Sequence, residues 1–275
     1  MDNDVRKRFA ELAALPDEQI DLDEAALLIA AETEDDLSIK HYLKLLDNLA
    51  AKFENKFQAT RGHGISVNAL IDFIHVEEGF SGNVKDYYEP GNSYLNRVID
   101  FRHGIPISLA LIHIALGARL GLSVKGINFP GHFLIRYGAD THVIVDPFSG
   151  RMLSKPDCSN LLKQIAGPKA VLQNDYFDVA SNKSILIRML DNLKQIFWRK
   201  KHWDQSKSCI DRQLLLLPDR VEFNVQLGAV HEMQGNVGLA QHTYLCVLQD
   251  TKDEQLRNLA SKRLLALETK ATTIH

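Results

Sequence analysis

A long apolar segment followed by several short β-type segments most constrains how this chain can fold. The segment Ile105–Leu122 is interrupted by only three polar residues, Ser108, His113 and Arg119. Such a run predicts a helix that is buried on all sides, whereas an amphipathic pattern would predict a surface helix. Pro106 suits its first position, and Gly121 suits a left-handed stop. The polar residues within the run argue against a membrane span.

Three β-strands are predicted after this helix, at Leu122–Phe129, His132–Tyr137 and His142–Pro147. A three-residue loop at 138–140 would make the last two antiparallel neighbours, pairing Leu134 with Ile144 and His132 with Asp146. In that register the His132 and Asp146 side chains share one face, and the carboxylate can fix the imidazole tautomer. We therefore expect a hydrogen-bonded pair. The alternative is a core histidine beside an aspartate that only shapes the Asp-Pro turn.

The composition is that of a globular chain with one large or two medium domains. Hydrophobic residues make up 45% and charged residues 24% of the 275 positions. A net charge of −3 gives no general reason to bind nucleic acid. The acidic start lacks a secretory signal, and the three cysteines have neither disulfide-scaffold nor metal-ligand spacing. We expect a cytoplasmic protein with no membrane association.

Residues 1–90 are predicted to be helical, with an acidic segment at 21–24 that suits one helix N-terminus and with helices that begin after Ser38 and Ser66. A passage rich in glycine and aromatic residues, 78–88, follows them. This passage is either a surface loop pinned to the core by its rings or one lip of a ligand site.

An internal repeat of 34 residues is visible from about residue 185. The positions that match at this spacing are Leu193 with Leu227, Ile196 with Val230, Ile210 with Tyr244, and Leu214 with Leu248. This is the tetratricopeptide period, and Glu254–Leu267 suits a capping helix after the second repeat. Tetratricopeptide helices at 185–275 would hold a protein partner.

Four motifs together resemble the bacterial SirB family. They are Asn92-Ser93-Tyr94-Leu95, Arg102-x-Gly-x-Pro106-Ile-Ser108, Gly126-Ile-Asn-Phe-Pro130-Gly-His132-Phe and Asp146-Pro-Phe-x-Gly150. That family joins a transglutaminase-like core to C-terminal tetratricopeptide repeats. The resemblance implies an α+β fold with a helical N-terminal layer over 1–90, a core with a small antiparallel sheet over 91–180, and an all-α tail.

The resemblance also implies a site without its nucleophile. In catalytic relatives a motif like Arg-x-Gly-x-Cys opens the buried helix; here Arg102 and Gly104 match, and the cysteine position falls on Pro106. His132 matches the catalytic histidine and Asp146 the aspartate. Proline cannot attack a substrate. The N-terminus of the helix would still offer backbone N–H groups to an anion or a carbonyl oxygen.

Other residues are weaker candidates for this site. Ser108 could replace the cysteine in a Ser108–His132–Asp146 triad, but two residues rotate it by about 200° around the helix axis. Arg102 and His103 precede the helix and could line a pocket with Pro106; an arginine that bonds loop carbonyls is the alternative. A metal site built from His132, His142, Asp146 and His113 has no compact ligand motif, so we expect neither metal nor cofactor.

The sequence therefore predicts a non-catalytic interaction or ligand-binding protein. Its degenerate cleft would bind a peptide, a side chain or a small anion, while the repeats hold a protein partner. The alternative function is a hydrolase or acyl transferase that uses Ser108, His132 and Asp146.

Overall fold

The computed structural model describes residues 2–34, 36–57, 66–138 and 143–272. The chain forms two compact units, residues 1–189 and 190–275. Twelve α-helices and six β-strands lie within the described residues, in agreement with an α+β fold. None of the described helices combines the length and the apolarity needed to cross a membrane.

The first unit begins with four helices: α1 (Asp2–Ala13), α2 (Leu22–Ala31), α3 (Ile39–Phe57) and α4 (Val67–Asp72). The acidic segment 21–24 lies at the start of α2, as predicted, and an Asp21 carboxylate oxygen accepts the N–H groups of Asp23 and Glu24 at 3.1 and 3.0 Å. A five-residue π-helical segment, Phe73–Glu77, continues α4. Such segments are rare, and they often occur at functional sites.

The predicted buried helix is α6 (Pro106–Arg119), which follows the short helix α5 (Leu95–Phe101). Pro106 is its first residue, as expected. Gly121 ends it at a φ of +68°, and the Leu122 N–H donates to the Gly117 carbonyl at 2.8 Å. Nearly all of α6 is buried because its apolar residues surround the helix axis.

The strands form two sheets. A parallel pair joins β1 (Ser81–Gly82) to β2 (His103–Gly104). An antiparallel sheet contains β3 (Val124–Ile127), β4 (Leu134–Tyr137), β5 (Val143–Asp146) and β6 (Arg151–Leu153), in that order. The sequence did not predict β1, β2 or β6, since two or three residues are too few to show an alternating pattern. The prediction that residues 1–90 are helical is therefore wrong at β1.

The predicted register between β4 and β5 is wrong by two residues. The observed partners of Ile144 and Val145 are Arg136 and Ile135, so five residues instead of three separate the paired Tyr137 and Val143. Thr141 and His142, assigned to the predicted strand pairing, lie outside the described residues. Because side chains alternate with a period of two, a shift of two residues leaves every side chain on its predicted face.

Helix α7 (Lys155–Ala166) packs with part of the antiparallel sheet. Their shared buried cluster contains Ile127, Phe129, Leu134, Cys158 and Leu162. Ser154 caps α7, with its hydroxyl oxygen accepting the Asp157 N–H at 3.3 Å. After α7 the chain returns to the outer edge of β3, where the Ala180 N–H donates to the Gly126 carbonyl at 2.8 Å.

The second unit is helical throughout its described residues. It contains the end of α8 (Asn182–Arg199), then α9 (Trp203–Leu216), α10 (Val221–Met233), α11 (Val237–Asp250) and α12 (Glu254–Thr272). The Tyr244 ring of α11 packs against Gly228 of α10 so closely that a Cβ at Gly228 would lie 2.7 Å from the ring. Glycine therefore permits the close approach of these two helices.

Candidate functional site

A tight turn places His132 at the start of the central hairpin. Its N–H donates to the Phe129 carbonyl at 3.0 Å, and Pro130 and Gly131 lie between them. Gly131 has a φ of +66°, and a Cβ on it would lie 2.3 Å from a methyl group of Ile165. Proline followed by glycine in this conformation is typical of a type II turn. The turn thus fixes the backbone of His132.

The structure brings the His132 and Asp146 side chains together. The His132 Nε2–H donates to Asp146 Oδ1 at 2.8 Å, and each side chain keeps 14% of its surface exposed. In the observed register Asp146 lies opposite Leu134, not opposite His132. His132 reaches Asp146 because it lies in the turn before β4. A carboxylate only accepts hydrogen bonds, so Nε2 carries the proton and Nδ1 of the neutral ring is an acceptor. Among the described residues, Nδ1 has no hydrogen-bond partner.

Asp146 is held as an anion by its neighbours. Burial acts to raise its pKa, but the hydrogen bond and charge of His132, with the bonds from Ser149 and Phe148, hold the pKa below its ordinary value. The Phe148 N–H donates to Oδ1 at 3.0 Å and the Ser149 hydroxyl to Oδ2 at 2.7 Å. The Gly150 N–H closes the turn on the Asp146 carbonyl at 2.9 Å. The carboxylate therefore organises both the turn and the imidazole.

The N-terminus of α6 offers fewer donors than the sequence suggested. Pro106 is buried and has no N–H. The Ile105 N–H is already used by the Asn92 carbonyl at 3.3 Å and by the Ser108 hydroxyl oxygen at 3.1 Å. The N–H groups of Ile107 and Ser108 remain as first-turn donors that have no acceptor within the helix.

Ser108 does not join the His132–Asp146 pair in the described structure, so the predicted triad is not formed. Its side chain is fully buried, and the hydroxyl donates to the Asn92 carbonyl at 2.5 Å while accepting the Ile105 N–H. A Cβ at Gly104 would lie 2.7 Å from the same oxygen. The rotation by two helical residues turns Ser108 away from the nucleophile position and toward the loop that contains Asn92.

We expect Ser108→Ala to lower the free energy of unfolding by about 2 kcal/mol, because it removes a buried hydroxyl from two backbone groups. Urea unfolding followed by circular dichroism measures this change. Ser149→Ala is the control, since Ser149 is exposed and should lose less than about 1 kcal/mol. Equal effects of the two substitutions would contradict the structural role of Ser108.

Arg102 bonds a backbone carbonyl, which was the alternative to its lining a pocket. It ends α5 with a φ of 61°, and its guanidinium donates to the Ile99 carbonyl and to Glu78, at 3.3 Å for the latter. The guanidinium also lies 4.5 Å from the centre of the Phe80 ring. Arg102 thereby joins α5 to the 78–80 passage.

His103 lines a cavity that includes neither His132 nor Pro106. It is exposed, and its Nδ1–H donates to the Phe101 carbonyl at 2.6 Å. The cavity, of about 510 Å³, is also lined by Asn92, Tyr94 and Arg97. A second cavity of about 700 Å³ lies beside β5, β6 and α7. His132 lines neither of these two, so His103 and His132 do not share a pocket there.

The sequence missed a buried chain of polar side chains behind Asp146. His113 Nδ1 lies 2.6 Å from the Tyr137 hydroxyl, and its Nε2 lies 2.9 Å from His75 Nε2. His75 Nδ1 lies 2.8 Å from the Phe80 carbonyl. The available signal was a lone histidine in each of two apolar helical segments. His113 is thus a hydrogen-bonded core histidine, and no group of three or more possible metal ligands occurs among the described residues.

Burial makes two of the three cysteines poor nucleophiles. Cys158 is buried in α7, and burial raises the pKa of its thiol to about 11. Cys209 and Cys246 belong to the second unit; burial raises the pKa of Cys209 to about 12. Thiols with such values remain protonated and weakly nucleophilic near neutral pH.

Comparison with known proteins matches residues 40–191 to the transglutaminase-like superfamily. A UPF0162 protein of Xylella fastidiosa is 34% identical over 218 residues, 77% of each chain. A UPF0162 protein of Pseudomonas aeruginosa is 37% identical over 189 residues, 69% of each chain. Human F-box only protein 21 is 32% identical over 170 residues, which cover 57% of this chain and 26% of that protein. No solved structure matches. The chain belongs to the UPF0162 family, with a core of the transglutaminase-like superfamily.

Proposed function

We propose that this protein is a non-catalytic ligand-binding and interaction protein whose transglutaminase-like core lacks its nucleophile. The observation that carries the proposal is the combination of a retained His132–Asp146 pair with Pro106 at the first position of α6. Selection for structure alone does not require an oriented imidazole whose second nitrogen has no partner among the described residues. A ligand that donates a hydrogen bond would satisfy that nitrogen.

The chemistry of the pair favours a polar ligand group with a donor, such as a side-chain carboxamide, or an anion once the imidazole is protonated. Neutral His132 presents an acceptor at Nδ1, and protonated His132 presents a donor there. Asp146 fixes the ring orientation in both states, because its bond to Nε2–H persists. The site would thus bind ligands that form a hydrogen bond with His132 Nδ1, and no covalent step is needed.

Tetratricopeptide-type helices in the second unit would supply the protein-binding part of the function. Helices α9 and α11 each have 14 residues, and their first residues, Trp203 and Val237, are 34 positions apart. The close packing of Gly228 against Tyr244 supports the same arrangement. Repeats of this kind present concave surfaces to protein partners.

The proposal is tested by binding and by restored chemistry. Acetamide and acetate serve as small models of a side-chain carboxamide and carboxylate. In NMR titrations of ¹⁵N-histidine-labelled protein, we expect at least one of them to shift the His132 Nδ1 resonance in a saturable manner. The His103 resonance is the control, because His103 lines a cavity that His132 does not line. Absence of any saturable shift at His132 would contradict ligand binding at the pair.

Pro106→Cys tests whether only the nucleophile is missing. With Cys246→Ser to remove the half-exposed thiol, we expect iodoacetamide at pH 6 to alkylate the introduced cysteine about tenfold faster than it does after a further His132→Ala change. Mass spectrometry identifies the alkylated position. Equal rates would show that the His132–Asp146 pair does not activate a thiol at the start of α6. Turnover of an ester or amide by the unmodified protein, abolished by His132→Ala, would overturn the non-catalytic assignment.

A further inference from the structure

The hydrogen bonds behind Asp146 form a chain with one consistent arrangement of protons. The Phe80 carbonyl only accepts, so His75 Nδ1 carries a proton and donates to it at 2.8 Å. In a neutral His75, Nε2 is then an acceptor, and His113 Nε2–H donates to it across 2.9 Å. His113 Nδ1 in turn accepts the Tyr137 hydroxyl proton at 2.6 Å. Three donors meet three acceptors.

One additional proton cannot be accommodated in this chain. It would bring the donors to four, whereas the carbonyl of Phe80, one remaining imidazole nitrogen and the Tyr137 oxygen provide three acceptors. One donor would be stranded among buried groups, since His113 and Tyr137 are almost completely buried. The chain therefore distinguishes neutral from protonated histidine.

His75 connects this chain to the Asp146–Gly150 turn. It lies on the π-helical segment, and a Cβ at Gly150 would lie 2.6 Å from its ring. Glycine at the end of the turn thus allows the ring to pack directly against the backbone. The Asp146 carboxylate is close enough for its charge to act on His75.

We propose that Tyr137, His113 and His75 form a proton-sensitive latch that holds the Asp146–Gly150 turn while both histidines are neutral. A proton on His75 Nε2 would face the proton on His113 Nε2. A change of tautomer at His113 would relieve this clash only by leaving the buried Tyr137 hydroxyl without an acceptor. The contact between His75 and His113 therefore breaks, and the freed His75 Nε2–H competes with His132 for Asp146. The effect of the latch on ligand binding at His132 rests on the proposed function, whereas release of the turn does not.

The surrounding charges set the direction of the response. The groups that face His75 are His113 on α6 and Asp146 on the β5–β6 turn, and those that face His113 are His75 and Tyr137 on β4. Burial lowers the pKa of His75, opposed by the Phe80 carbonyl and by Asp146. Burial and the neighbouring His75 lower the pKa of His113 further. His75 therefore takes the first proton, at a pH below the ordinary histidine value.

Amide hydrogen exchange tests the latch without any ligand. Protection of the Phe148 and Gly150 amides reports on the turn, because both donate to Asp146. Relative to Ile135 in β4, we expect their protection to fall about tenfold between pH 7.5 and 5.5. His75→Gln should abolish the fall, because glutamine does not titrate. His103→Gln, which changes an exposed histidine, should retain it.

A second variant covers the case in which His75→Gln does not fold. In the double variant His113→Gln/Tyr137→Phe the amide can turn its oxygen toward protonated His75 without leaving a tyrosine hydroxyl unpaired, so the fall in protection should again be absent. An unchanged pH response in either folded variant, or no response in the unmodified protein, overturns the latch. Loss of the acetamide and acetate signals with an intact response would instead reject ligand binding and leave the latch in place.

Discussion

Asp146→Ala is expected to lower the free energy of unfolding by about 4 kcal/mol, the largest effect of any single substitution considered. The change removes a charge-assisted bond to His132 and the bonds from the Phe148 N–H and the Ser149 hydroxyl. A charged hydrogen bond contributes about 1.5–3 kcal/mol and a neutral one about 1 kcal/mol. It also leaves a partly buried imidazole N–H without its acceptor. Urea unfolding and ¹⁵N spectra of His132 measure both consequences.

Asp146→Asn separates the charge of this side chain from its shape. Its amide oxygen can still accept from His132 and Phe148, so we expect a loss of only about 2 kcal/mol. Because the folded pKa of Asp146 lies below its ordinary value, its contribution is fully present above about pH 4 and is lost as the pH falls through the folded pKa. The stability difference between the unmodified protein and Asp146→Asn should therefore shrink on acidification. A loss below about 1 kcal/mol for Asp146→Ala would contradict the anchoring role.

Local signals in the sequence predicted the helices that position the site. Pro106 fixed the start of α6 because a proline is tolerated in the first turn, and the acidic residues 21–24 marked the start of α2 because a helix N-terminus favours negative charge. Each of these features depends on residues within a few positions of one another. The His132–Asp146 pair was predicted from the wrong register, and it forms because His132 lies in the turn before β4.

Features that depend on distant contacts could not be predicted in the same way. The length of the β4–β5 loop has no signal in the strands, so the register was wrong by two residues. The meeting of His75 with His113 joins positions 38 residues apart. The Ser108 hydroxyl bonds the Asn92 carbonyl, 16 positions earlier. In all three cases tertiary packing selects among arrangements that the local sequence allows.

Glu232→Ala is expected to lower the stability of the second unit by about 3 kcal/mol. The Glu232 side chain is 7% exposed; one of its oxygens accepts the Tyr244 hydroxyl at 2.7 Å and Arg263 Nε at 2.8 Å, and the other oxygen accepts a second guanidinium N–H. These bonds connect α10, α11 and α12. Removal of one partner from a buried pair leaves the other groups unsatisfied, which costs about 3–5 kcal/mol when both are buried. Arg263 remains 38% exposed, so water recovers part of that cost.

Hydrogen exchange followed by mass spectrometry on the full chain localises this effect. We expect peptides from α12 to lose protection first, because Arg263 provides the described ion pair between that helix and α10. Glu222→Ala is the matched control: Glu222 is on the same helix but exposed, and its loss should change stability by less than about 0.5 kcal/mol. If α12 kept its protection in Glu232→Ala, the apolar contacts of Ala260 and Leu267 would be sufficient to hold the helix.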